Sequence, residues 1–137
     1  MLKFYEVAVA SKHVVICGRS EIVGKPMGAL LLKHHATVTF CHSKTEDLKR
    51  YTGQADILVA AVGKPRFITA QHVKENAVVV DVGIHRESDG LVGDVDFDEV
   101  VNKVRAISPV PGGVGPLTIS MLMRNVLLAA ELQTKRK

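Results

Sequence analysis

Short, β-branched apolar runs alternate along the chain with segments of mixed polarity. His13 to Cys17 (HVVIC), Thr37 to Cys41 (TVTFC), Asp56 to Val62 (DILVAAV) and Ala77 to Val82 (AVVVDV) are too short for helices and rich in valine, isoleucine and threonine, so each predicts a buried strand. Between them, Pro26 to His35 predicts a helix, with proline in the first turn, where its missing N–H has no helical partner. Glu46 to Tyr51 predicts a short polar helix and Thr69 to Val73 a single helical turn. Beyond Val82 the pattern loosens. Gly90 to Val95 reads as a short strand or hairpin arm, Phe97 to Val104 as a weak helix and Ala106 to Val110 as a last strand. Leu117 to Leu132 forms a long helix, apolar on most sides, which implies deep burial or packing against a second body. Strands alternating with helices predict a parallel sheet, and continuously apolar runs predict that both its faces are covered. The fold class expected is α/β: a Rossmann-like, doubly wound parallel sheet in a single domain.

Composition narrows the setting. The 137 residues are 47% hydrophobic and 23% charged, as in an ordinary globular domain. No apolar run approaches the ~20 residues that span a bilayer. The first ten residues carry Lys3 and Glu6 and lack the apolar core of a signal peptide, which points to the cytoplasm. The formal charge is +4, but basic residues cluster only at Lys135 to Lys137, and the few aromatics are scattered, so a nucleic-acid partner is not expected. Cys17 and Cys41 each close a predicted strand. A reduced, partly buried pair is the favoured reading, and their spacing to His42 is no metal signature.

The candidate chemistry lies in the loops after the strands. Gly18, Gly24 and Gly28 fall between the first strand and the first helix, spaced G-x5-G-x3-G rather than G-x-G-x-x-G. Such a loop either cradles a dinucleotide against a helix N-terminus or is a turn that closes a helix onto a strand. A site for NAD usually has an acid after the second strand, yet this chain reads Cys41-His42-Ser43-Lys44-Thr45 and has no acid before Glu46. Arg19, Ser43 and Lys44, with a protonated His42, can surround a 2′-phosphate instead; the alternative is that His42 and Lys44 are plain loop residues on a basic surface.

Six segments then occur in order: GRSEIVGKPM (Gly18 to Met27), CHSKT (Cys41 to Thr45), ADILVAAVGKP (Ala55 to Pro65), VVVDVGIHR (Val78 to Arg86), LVGDVDF (Leu91 to Phe97) and SPVPGGVGPLT (Ser108 to Thr118). Together they resemble the cofactor domain of the methylenetetrahydrofolate dehydrogenase/cyclohydrolase family, from about His13 onward. The resemblance implies oxidation of 5,10-methylenetetrahydrofolate with NADP, followed by hydrolysis of the methenyl product, in a protein of two domains. It places Gly18, Arg19 and Ser20 along the phosphates and adenosine end, His42 and Ser43 by the 2′-phosphate, Val62 and Gly63 beside the cofactor, and Gly83 and Ile84 at the nicotinamide. Pro111, Gly112 and Gly113 belong to a loop, reaching to Gly115, that faces the folate.

Residues 1–12 are expected to be the end of an interdomain helix and its lead-in, and 13–137 the cofactor domain. The family's catalytic lysine and tyrosine belong to a preceding domain, so no residue here takes a catalytic role; Lys3 and Tyr5 lie in the linker and are not that pair. His85 stands where relatives often carry Asn. A homodimer through Ile84 to Val95 is implied as well. The competing readings are an NADP-binding or dimerisation module without activity and a shikimate-type dehydrogenase.

Overall fold

The computed structural model describes residues 1–88 and 90–135. Five parallel strands form the centre: β1 (His13–Cys17), β2 (Thr37–Cys41), β3 (Ile57–Ala60), β4 (Val78–Asp81) and β7 (Ala106–Ile107), in the spatial order β2-β1-β3-β4-β7. β5 (His85–Glu87) and β6 (Gly90–Val92) form a separate antiparallel hairpin. β1 pairs with β2 on one side and β3 on the other, so chain order reverses at β1, and the carboxyl ends of β1 and β3 flank that switch point.

Alternation along the strands sorts the core into two faces. Val15, Leu58 and Val79 point to one, joined there by Ile68, Val73, Val95 and Val100, beneath α2 (Leu48–Thr52) and α3 (Phe97–Val100). Val14, Ile16, Ile57 and Val59 point to the other, where they meet Leu31 and Met27 of α1 (Gly24–Lys33), the amino-terminal segment and Val114. Each such aliphatic side chain contributes roughly 1.5–3 kcal/mol on burial. The doubly wound arrangement expected from the apolar runs is thus present.

Element ends differ from the expectations for local reasons. α1 stops at Lys33 rather than His35. His35 adopts φ +64°, its amide bonds to the Leu32 carbonyl and that of Ala36 to the Leu31 carbonyl, the pairing that closes a helix through a left-handed residue. The same pattern occurs at the amino terminus, where Glu6 (φ +53°) bonds to Lys3 and Val7 to Leu2, so residues 1–7 are a turn that ends as helices end. β7 spans two residues instead of five, because Pro109 lacks a donor and the Ser108 hydroxyl accepts from the Asp81 amide at 2.8 Å. α3 covers four residues rather than eight, with Asp96 accepting from the Glu99 amide.

α4 (Val114–Thr134) is the largest departure from a packed domain. Only Val114 reaches the core, and Leu117 through Leu132 are exposed, with Ile119 66% and Leu127 66% accessible. Of the two readings for this helix, deep burial is excluded.

Candidate functional site: the carboxyl edge of the sheet

Every residue singled out for the cofactor lies on the carboxyl edge, in a loop that leaves a strand. The loops after β1 and β2 make one half of that edge. Gly18 has φ +139°, and a Cβ there would overlap the Ala61 carbonyl, so the backbone turns where no other residue fits. Gly24 is equally constrained, since its Cβ would overlap the Gly18 carbonyl. The Ser20 hydroxyl accepts from the amides of Val23 (3.2 Å) and Gly24 (3.4 Å), tying the loop to the first turn of α1. Pro26 is accordingly the third helical residue rather than the first.

Arg19 is exposed, and its guanidinium has no hydrogen bond or ion pair among the described residues; the Lys44 ammonium is likewise unpaired. Ser43 is exposed. The Nδ1 of His42 accepts from the Lys44 amide at 3.1 Å, while the Thr45 hydroxyl accepts from the His42 amide at 2.9 Å. This bond puts the ring proton of a neutral His42 on Nε2, leaving that N–H free to donate. Any phosphate contact from His42 is therefore left to Nε2, the ring nitrogen that the Lys44 amide does not engage.

The loops after β3 and β4 make the other half, built around two buried carboxylates. Asp94 is wholly buried. It accepts from three successive amides, Val62 (2.5 Å), Gly63 (2.9 Å) and Lys64 (3.1 Å), and its Oδ1 lies 2.7 Å from His85 Nε2. Asp81 accepts from the amides of Gly83 (2.9 Å), Asp94 (3.0 Å) and Val95 (2.9 Å). Burial pushes the Asp81 carboxyl above the usual carboxylate range, against the pull of these amides. Val62 and Gly63 thus have their N–H groups engaged inward, and only the rest of their backbone and the Val62 side chain can meet a ligand. Gly63 (φ +70°) leaves open space where a Cβ would stand. Gly83 is half-buried, and Ile84 is 62% exposed at the edge.

The last loop joins through Ser108, whose hydroxyl links β7 to Asp81. Pro111 and Gly112 are exposed, whereas Gly113 is buried and its Cβ would overlap the Pro109 carbonyl. Gly113 is therefore required by the turn itself, and the exposed face of this loop is Pro111-Gly112.

Asp81 and Asp94 lie in two of the six segments named above, and neither carries a role there. The available signal was two aspartates within runs otherwise reading as buried strand, since a buried charge needs several partners. Cys17 and Cys41 are direct register neighbours on β1 and β2, both buried and free. Burial, with the nearby Cys41 and Asp94, pushes the Cys17 thiol up to about 12. Such a thiol has almost no thiolate at neutral pH.

The chain resembles known proteins along nearly its whole length. The bifunctional protein FolD of Lachnoclostridium phytofermentans is 58% identical over 132 residues, 96% of this chain and 47% of the relative. The crystal structure of the bifunctional enzyme FolD (methylenetetrahydrofolate dehydrogenase/cyclohydrolase) from Campylobacter jejuni superposes with a TM-score of 0.93 at 50% identity, over 96% of this chain and 47% of that one. A Trypanosoma brucei methylenetetrahydrofolate dehydrogenase-cyclohydrolase, solved with NADP cofactor and inhibitor, matches with a TM-score of 0.85 at 41% identity, over 92% of this chain and 46% of that one. The chain spans about half the length of these proteins. The model of the NAD(P)-binding domain of tetrahydrofolate dehydrogenase/cyclohydrolase matches residues 1–134, so the chain belongs to that family.

Proposed function

We propose that this chain is the NADP-holding part of a methylenetetrahydrofolate dehydrogenase and methenyltetrahydrofolate cyclohydrolase. The observation that carries the reading is two cations without side-chain partners among the described residues, Arg19 after β1 and Lys44 after the neighbouring β2, with an exposed Ser43 and no acid in the loop after β2 before Glu46. An arginine presents two parallel donors to a phosphate. Gly18 permits the close turn, and the Nε2 of His42, which the Lys44 amide leaves unengaged, adds a directed contact. On the other half, the open face of Gly63 and the exposed Ile84 suit a flat, half-apolar ring such as nicotinamide. Bound NADP would supply the hydride acceptor for the one-carbon bridge of 5,10-methylenetetrahydrofolate. The role of this chain is to orient that cofactor and, through Pro111-Gly112, to form one wall of the folate cleft.

The residues that grip the pterin belong, in this reading, to the other half of the relatives' length. Holding the folate in line with the cofactor is worth roughly 7–11 kcal/mol of barrier. The chain by itself is therefore expected to bind NADP without reducing it at a useful rate. The exposed face of α4 is where the rest of such a protein would pack, and alone it should bind apolar dyes. Calorimetric titration with NADP and NAD, together with NADP reduction in the presence of 5,10-methylenetetrahydrofolate, tests the proposal. Equal affinity for the two dinucleotides would refute the 2′-phosphate site. Turnover near that of an ordinary enzyme, about 10 per second, would show that the catalytic groups lie within these residues.

We further propose a homodimer formed by Ile84 to Val95. β5 and β6 pair only with one another among the described residues, which leaves ribbon edges for a two-fold partner. A monomer mass by light scattering at tens of micromolar would refute it. A cytoplasmic setting fits neighbouring cysteines that stand as free thiols.

A further inference from the structure

We infer that Asp94 is a positioning residue for the nicotinamide half of the cofactor, and that His85 shares this task by fastening the loop after β4 to it; the inference rests on the cofactor reading above. Asp94 is fully buried and meets no ligand directly, so it acts through the backbone that it holds. Three amides in a row, from Val62 to Lys64, converge on one carboxylate. Charged acceptors make the stronger hydrogen bonds, and three of them fix both the height and the tilt of a loop. The same carboxylate reaches His85 at 2.7 Å, one residue after the exposed Ile84.

Asp94 is itself held in place, because its amide and that of Gly83 both donate to Oδ1 of Asp81. No lysine or arginine pairs with Asp94 among the described residues, and His85 is its one side-chain partner there. The loops after β3 and β4 consequently move as a unit. A ring seated on Gly63 and Ile84 would sense any change in their separation. The loops after β1 and β2 make no contact with either carboxylate in these bonds, so the adenosine and 2′-phosphate end should be indifferent to it.

This asymmetry separates positioning from bulk stabilisation. The probes are NADP and adenosine 2′,5′-bisphosphate, which keeps the phosphorylated adenosine and lacks nicotinamide. Asp94→Asn preserves size but turns one acceptor into a donor facing amide N–H groups. Calorimetry should show NADP binding to Asp94→Asn weakened by about tenfold or more. Affinity for the bisphosphate should stay within about twofold. His85→Phe leaves the three amides bonded and should weaken NADP less, with the bisphosphate again unchanged. If Asp94→Asn does not fold, His85→Phe decides. Equal losses for both ligands, or full NADP affinity in either folded variant, would overturn the inference. A wild-type chain that binds neither ligand would overturn the cofactor reading and the inference together, whereas normal wild-type binding with unchanged variants removes the inference alone.

Discussion

The two halves of the carboxyl edge use the same kind of loop in opposite ways. After β1 and β2, Arg19 and Lys44 are left without side-chain partners among the described residues, and the side-chain bonds that shape the loops are short-range: Ser20 to Val23 and Gly24, His42 to Lys44 and Thr45. After β3 the backbone amides are drawn to Asp94, about thirty residues on in sequence, and the amides of Asp94 and Val95 are drawn back to Asp81, about a dozen residues away. The first half keeps its electrostatic capacity for a ligand, and the second has spent its donors on rigidity. On the proposed cofactor reading, a phosphate needs unpaired cations, whereas a ring that must be aligned needs an immobile floor, and the two demands fall on adjacent strands.

The largest expected effect comes from breaking the rigid half. Gly93→Ala would place a Cβ inside the Asp81 carboxylate. Overpacking of this kind costs about 1–3 kcal/mol, with unpaired amides adding to it. Urea denaturation should show the loss, and a midpoint equal to wild type would mean that the carboxylates are not packed as described. Next comes Arg19→Ala in the open half. It should weaken NADP by on the order of 1.5–3 kcal/mol and NAD far less, because the lost bonds are charge-assisted ones to a phosphate. Its stability should stay within about 0.5 kcal/mol of wild type, since no protein group depends on the guanidinium. A variant that unfolds more readily would show that the open half is braced after all.

Smaller effects sharpen the contrast through pH. Asp81 titrates above the usual carboxylate range in the folded chain because it is buried. The folded state then holds the proton more tightly than the unfolded one, so this group's contribution falls as pH rises from the usual range to the raised value and is level above it. Asp81→Asn should remove that fall. Asp56, at the opposite edge, behaves inversely: its hydrogen bond from Lys74 at 2.7 Å and the His13 amide hold its carboxyl below the usual range. Its stabilisation is present above about pH 3.9 and fades as pH falls through the lowered value. The pair is partly exposed, so Asp56→Asn should cost no more than about 1 kcal/mol at neutral pH. Stability measured against pH for both variants checks the two signs; parallel curves would show that burial does not distinguish these carboxylates.

Apolar runs made the five-stranded sheet legible, since β1 and β2 match the expected ranges and β3, β4 and β7 lie within theirs, whereas the polar β5 fell in no expected strand. The exposed, unpartnered placement of Arg19 and Lys44 was legible from their charge and their position in loops. What sequence reasoning lost was governed by backbone partners from distant segments. Nothing local in Val62-Gly63-Lys64 tells that its amides face Asp94, and nothing in Ser108 tells that its hydroxyl ends a strand. His35 looked helical by composition, yet the left-handed closure of α1 falls on it rather than on a glycine.

Gly83 and Gly93 carry one more consequence. A Cβ at Gly83 would strike Asp94, and one at Gly93 would strike Asp81, so each glycine makes room for an aspartate from the other side of the hairpin. The four positions cannot drift one at a time: an alanine at either glycine is harmful while the facing aspartate remains, and a smaller residue at either aspartate strands amides while its donors remain. The two glycines and two aspartates thus form one interlocked quartet, in which a substitution at any one member acts on the other three.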